Sequence, residues 1–159
     1  MNDVIKETFG DDILKKISEG DFLYGDFKDS QPLELDIEDP MLYQNLDNYS
    51  SVRQKCEELL TNYNEENPEM NLVLFNDAID HLVRLIRVIR FPRGNSMLVG
   101  YGGSGKQSLT RLATFICSYK LFTVSIKKNY NESAFRKDIL EFFMTKLVSE
   151  QTVFMFTDT

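Results

Sequence analysis

Gly100-Tyr-Gly-Gly-Ser-Gly-Lys106 carries the clearest chemistry in the chain. Its spacing, G-x-x-x-x-G-K, is that of a loop that cradles phosphate, provided a strand precedes it and a helix follows. Met97-Leu-Val99 is a short apolar run ahead of the glycines, and residues 108–118 read as a helix behind them. Gly100, Gly102, Gly103 and Gly105 let the backbone curl so that successive N–H groups point inward, with Ser104 between them. The helix start adds its partial positive charge, and Lys106 supplies a mobile cation for the outer phosphates. An ordinary glycine turn with a solvated lysine is the alternative, and the matched offsets argue against it.

One position departs from the pattern. Gln107 stands where a Ser or Thr hydroxyl ordinarily reaches Mg²⁺. Ser108 follows one place later, which on a helix turns its hydroxyl by ~100°. The Gln107 amide oxygen is left as a weaker ligand for the metal, direct or through water. Fifty-two residues after Lys106, Val153-Phe-Met-Phe-Thr-Asp158 is an apolar strand ending in a carboxylate, the form of a Walker B strand. Asp158 is the expected Mg²⁺ holder. The next residue is Thr159, where many ATPases place a glutamate that orients the attacking water. A threonine is no general base at neutral pH. The expectation is ATP or ADP binding with Mg²⁺ and without efficient hydrolysis.

The elements around this site alternate. Met97–Val99, Phe122–Ile126 and Val153–Phe156 read as three buried strands, with helices over 108–118 and from Asn131 or Ser133 to Leu147. Strands apolar on both faces and separated by helices imply an α/β fold, a parallel sheet covered on both sides. Upstream, Ser50 or Ser51 can cap a helix that presents Val52, Cys56, Leu59, Leu60 and Tyr63 on one face. Residues 64–68 read as a loop. Leu72–Phe75 is a short apolar run, and Asn76 can cap a helix to about Arg90, ended by Pro92 and Gly94. Near the start, Val4, Ile5 and Phe9 and then Ile13, Leu14 and Ile17 keep helical spacing around Gly10. Residues 21–49 read as an extended acidic connector whose Phe22, Leu23, Tyr24 and Phe27 need a partner surface.

Composition narrows the classes. The chain has 159 residues, 42% hydrophobic and 27% charged, enough for one domain with a core. Its net charge of −7 is uneven: residues 1–50 hold 13 acids and 4 bases, the remainder 12 acids and 14 bases. An acidic leader thus precedes a slightly basic body able to host a polyanion. No dense basic patch with interleaved aromatics argues for nucleic acid, and no apolar run approaches the ~18 residues of a membrane span. Cys56 and Cys117 lack CxxC partners and read as reduced, buried thiols. The first thirty residues lack a secretory pattern, which leaves a cytosolic or nuclear setting. His81, the only histidine, reads as structural, and Arg84, Arg87 and Arg90 as a solvated or partner-facing face.

Three stretches together resemble a known family. Leu72-Val-Leu-Phe-Asn-Asp-Ala-Ile-Asp-His81, Arg87-Val-Ile-Arg-Phe-Pro-Arg-Gly-Asn95 and Leu98-Val-Gly-Tyr-Gly-Gly-Ser-Gly-Lys-Gln-Ser-Leu-Thr-Arg-Leu112 resemble the fourth AAA+ module of axonemal dynein heavy chains. Phe154-Met-Phe-Thr-Asp-Thr159 looks like that module's Walker B segment, including the missing glutamate. The resemblance covers residues ~50–159 well and is loose over 1–49. It implies a P-loop NTPase of AAA+ type, here the N-terminal part of the domain over 50–159, preceded by a leader over 1–49 from the preceding module. It also implies a regulatory nucleotide site in a microtubule motor of cilia and flagella. Partners by the same resemblance are the other ring modules, dynein intermediate and light chains, and microtubules. The setting it implies is the cytoplasm and cytoskeleton, in the axoneme. Residues 103–108 would hold the phosphates and Leu72–Phe75 would lie near the adenine.

AAA+ modules resemble one another in the strand order 5-1-4-3-2. The 159 residues hold no candidate for strand 4, a linker, a stalk or a microtubule-binding domain, so the resemblance implies a truncated module with an incomplete, three-stranded core. Two other functions compete with a hydrolysis-poor nucleotide-binding module. One is a non-enzymatic interaction piece with an empty pocket, and the other an independent P-loop kinase or hydrolase.

Overall fold

A computed structural model of the chain describes residues 2–11, 23–28, 42–124, 126, 130–145 and 151–157. Helix α1 (Asn2–Phe9) stops at Gly10, whose φ of 84° lies in the left-handed region. Ile13, Leu14 and Ile17 lie outside the described residues, as does Phe22. Two short strands, β1 (Tyr24–Gly25) and β2 (Gln44–Asn45), pair antiparallel. They are followed by α2 (Tyr49–Glu66) and α3 (Asn76–Arg90). Then come α4 (Lys106–Ile116), β3 (Lys120–Thr123), α5 (Glu132–Thr145) and β4 (Thr152–Met155).

The partner surface that the connector needs is α2 and α3. Leu23, Phe27 and Leu46 are buried in the same cluster as the apolar faces of those helices. That cluster holds Val52, Cys56, Leu59 and Tyr63 of α2, Ile79, Leu82, Val83, Leu85 and Ile86 of α3, and Leu109, Leu112, Ala113 and Ile116 of α4. Three amphipathic helices bury one stripe each against their neighbours, which is where most helix stability comes from. Both cysteines belong to this core and are free thiols.

Burial pushes each thiol up to about 12, with the charge of Glu57 adding to the effect at Cys56. A thiol whose pKa is raised in the folded state supports folding fully below its unfolded value. That support fades between about 9 and 12, because the unfolded chain ionises first. Two outcomes are expected: slow alkylation of Cys56 and Cys117 at pH 7.5 until denaturant is added, and a falling thermal midpoint above pH 9. Rapid labelling of the native chain would contradict this placement.

Helix boundaries differ from the sequence expectation where side chains reach further than local pattern suggests. Asn48, not Ser50 or Ser51, caps α2: its Oδ1 accepts from the Ser51 N–H at 3.0 Å. The helix runs on to Glu66, into the expected loop, because Asn67 donates its backbone N–H and its Nδ2 to the Tyr63 carbonyl. Asn76 is the first residue of α3 rather than its cap. Its Oδ1 accepts from Arg53 Nη2, and Arg53 Nε donates to the Leu74 carbonyl at 2.8 Å. Of the two cap candidates for α5, Asn131 and Ser133, it is Asn131 that accepts from the Ala134 N–H, at 3.0 Å.

The end of α3 is closed by a tight turn. The Phe91 N–H is shared between the Arg87 and Val88 carbonyls, and the Gly94 N–H donates to the Phe91 carbonyl at 2.9 Å. A Cβ on Gly94 would fall 1.7 Å from the Val88 carbonyl oxygen, so backbone must move to admit one. Gly94→Ala is therefore expected to cost about 1–3 kcal/mol in urea unfolding. Gly102→Ala, whose Cβ meets nothing within 4 Å, is the control. Equal midpoints for the two variants would contradict this packing.

Two strands form the parallel sheet, with Leu121 opposite Val153 and Phe122 opposite Phe154. Phe122 stacks on Phe154 at 5.7 Å, and Phe142 of α5 packs on both rings. The adjacency of β3 and β4 is that of strands 2 and 3 in the order 5-1-4-3-2. The third expected strand is not formed. Met97–Val99 is extended but pairs with no strand among the described residues, and Met97 and Val99 are 88% and 85% exposed. A strand is defined by its ladder, and apolar residues alone do not make one without a neighbour to accept their hydrogen bonds.

Candidate functional site

The glycine loop lies between the extended Met97–Val99 segment and the start of α4. Gly103 and Gly105 take φ of 75° and 77°, the left-handed region in which a side chain is strained. These two residues turn the chain into α4. Gly105 caps that helix, and no side chain among the described residues bonds the helix's first N–H groups. Lys106, Gln107 and Ser108 therefore begin a helix whose orphan donors and dipole favour an anion. Gly100 faces the loop's interior, where a Cβ would press on Ser104 Oγ at 3.1 Å and lie 3.8 Å from Lys106 Nζ.

Lys106 folds back over the loop. Its Nζ donates to the Gly100 carbonyl at 2.8 Å, the Tyr101 carbonyl at 2.7 Å and Ser104 Oγ at 3.2 Å. All three donors of the ammonium are thus held by the loop's own oxygens. The positive charge sits within the glycine turn, where an incoming phosphate can take over these bonds. Tyr101 is 92% exposed and Gln107 is exposed, while Lys106 and Ser108 are half-buried.

A second segment borders the loop. The Leu72 Cδ1 lies 3.5 Å from the position a Gly105 Cβ would take. Residues 70–76 are tied down at both ends, by Arg53 as above and by Asn64, whose Oδ1 accepts from the Met70 N–H at 2.9 Å. Val73 and Phe75 are left exposed on this clasped stretch. The clasp was not legible in the chain, because Asn64 read as part of a loop and nothing local marks Arg53 as its counterpart. The loop's donor set for a metal is neutral, with the Gln107 amide and the hydroxyls of Ser104 and Ser108. Asp158 lies outside the described residues, and no cluster of metal-ligating residues forms among those described.

The arginines of α3 do not form one solvated face. Arg84 and Arg87 are exposed, but Arg90 is half-buried and ties three parts of the fold together. Its Nε lies 2.8 Å from Asp26 Oδ2, a coulombic contact in which the N–H is not aimed along the oxygen. Its Nη1 donates to the Cys117 carbonyl at 3.1 Å, and its guanidinium lies 5.5 Å from the Tyr119 ring centre.

Mixed helices and strands, a small parallel sheet and a glycine loop leading into a helix define an α/β protein of the P-loop AAA type. Residues 70–159 match the family described as P-loop containing dynein motor region D4, and the chain belongs to that family. It is similar to human "Dynein axonemal heavy chain 10", 38% identical over 159 residues that cover 99% of this chain. It is 42% identical to the Chlamydomonas reinhardtii "Dynein-1-alpha heavy chain, flagellar inner arm I1 complex" over 86% of this chain. With that alga's "Dynein beta chain, flagellar outer arm" it shares 47% identity over 65% of this chain. The chain spans only 2–3% of the length of these relatives.

Proposed function

We propose that this chain is the nucleotide-binding part of a regulatory dynein motor module, one that holds ATP or ADP without efficient hydrolysis. The observation that carries this reading is the loop itself, with Lys106 Nζ drawn over the glycine turn next to a helix start that its cap residue, Gly105, meets with no side chain. Gly100, Gly102, Gly103, Ser104 and Gly105 would shape the phosphate cradle, and Lys106, Gln107 and Ser108 would contribute the helix N–H groups. Lys106 would exchange its bonds to the loop for bonds to phosphate oxygens. Leu72, Val73 and Phe75, beside the loop, would supply an apolar surface for the base. Gln107 and Asp158 would hold Mg²⁺, the former more weakly than a hydroxyl. Residues 1–49 would be the approach from the preceding module and 50–159 the start of the AAA+ domain.

Within the family, such a module works in the axoneme of cilia and flagella, alongside the other ring modules, associated chains and microtubules. Calorimetric titration of the chain with ATP, with and without Mg²⁺, tests the reading. Saturable binding weakened less than tenfold by chelating the metal is expected, with turnover at the level of the Lys106→Ala variant. Lys106-dependent turnover would instead favour an independent hydrolase. Heat-free titrations with both nucleotides would overturn the proposal.

A second reading is favoured by the exposed, unpaired Met97–Val99 segment. An interaction piece would pair that edge with a strand from another polypeptide and leave the loop empty. Sedimentation of the chain alone would then show self-association that ATP does not change.

A further inference from the structure

A second cleft is lined by none of the residues assigned to the phosphate loop. It has a volume of about 440 Å³ and lies between the β1–β2 ribbon and the C-terminal half of α3. We propose that this cleft binds a small planar heteroaromatic acid, a flat ring that carries an N–H donor and one anionic group.

Size, shape and polarity each point to that class. The volume falls within the ~300–1,000 Å³ typical of small-ligand sites. Val83 and Ile86 form an apolar floor, and Tyr24 and Tyr43 supply aromatic walls, their rings stacked at 6.3 Å and inclined by 21°. A flat ring is what such walls favour. Asp26 lines the cleft, and its buried Oδ1 accepts from no donor among the described residues while its other oxygen faces Arg90. An unsatisfied buried acceptor is costly, so an N–H donor delivered there is worth more than one met in water. The remaining charge is positive. Asp26 and Arg90 neutralise each other, whereas Arg87 is exposed, lies 5.7 Å from the Tyr43 ring centre and makes no ion pair among the described residues. Its guanidinium is placed to receive a carboxylate or phosphate. Because the walls come from the leader and the floor from α3, an occupant would tie the leader to the module.

Indole-3-acetate and adenosine 5′-monophosphate share this chemistry and distinguish a carboxylate from a nucleotide source. Each is titrated into the full 159-residue chain while the amide resonances of Gly25, Tyr43 and Arg87 are followed by NMR. Saturable shifts at these residues are expected with at least one probe. Arg87→Gln should weaken that binding by about tenfold or more. Lys106→Ala should leave it unchanged, which separates this cleft from the phosphate loop. Neutral indole should bind the Arg87→Gln variant as it binds the native chain, which also reports that the variant is folded. Absence of saturable shifts with both acids would overturn the proposal. So would binding that survives both Arg87→Gln and Tyr43→Leu, or binding that Lys106→Ala abolishes.

Discussion

Leu112→Ala is expected to lower unfolding stability by about 2–5 kcal/mol in denaturant titrations. Leu112 has no exposed surface, and it sits on α4 where that helix packs against α2 and α3. Removing three carbons there forfeits their transfer energy and leaves a void that the surrounding helices close only in part. Native domains are stable by only about 5–15 kcal/mol, so the loss is a large share of the whole. Leu140→Ala on α5, where the side chain is largely exposed, should stay within about 0.5 kcal/mol. Because α4 also begins at the phosphate loop, Leu112→Ala should weaken nucleotide binding as the folded fraction falls. A loss below about 1 kcal/mol would mean that α4 does not pack as described.

Lys106→Ala is expected to weaken ATP binding by about 100-fold while changing the stability of the free chain little. The second half of that statement follows from exposure. The lysine's bonds to Gly100, Tyr101 and Ser104 lie at the surface, where water replaces them at small cost. The first half follows from charge. Hydrogen bonds to an ionised group are worth about 1.5–3 kcal/mol each, and two bonds to phosphate oxygens would amount to roughly 3 kcal/mol or more. Each 1.4 kcal/mol is about a factor of ten in affinity. Isothermal titration of both forms with ATP measures the difference directly. A reduction of less than about fivefold would show that the lysine stays with the loop and does not engage phosphate.

Local chemistry was the most legible part of this chain. The glycines and Lys106 marked out a tight loop leading into a helix because such a turn depends on residue types at fixed offsets, and the structure brings Gly100, Ser104 and Lys106 together. The apolar stripe of α2 was equally plain, since a 3.6-residue period needs no knowledge of the partner. Features that depend on residues far apart in the chain were not visible. Arg90 read as solvated because Asp26 is 64 residues away in the chain, and nothing local marks the two as partners. The Asn48 cap was missed in favour of Ser50 or Ser51 because Asn and Ser both cap well and only the backbone decides between them. Met97–Val99 read as a strand from its apolar character, but its pairing rests on a neighbour that no pattern within the segment supplies. The Asp158 expectation falls on a residue outside those described.

The central claim is that the loop ending at Lys106 binds a nucleotide. The most direct test is a thermal melt of the chain with and without Mg-ATP, repeated on Lys106→Ala. At one hundred times the dissociation constant, ligand stabilises the native state by about 2.7 kcal/mol, several degrees in the midpoint for a domain of this size. A cooperative melt that moves upward with Mg-ATP in the native chain and stays in place in the variant is the predicted result. Superimposable melts of the native chain with and without Mg-ATP would contradict it.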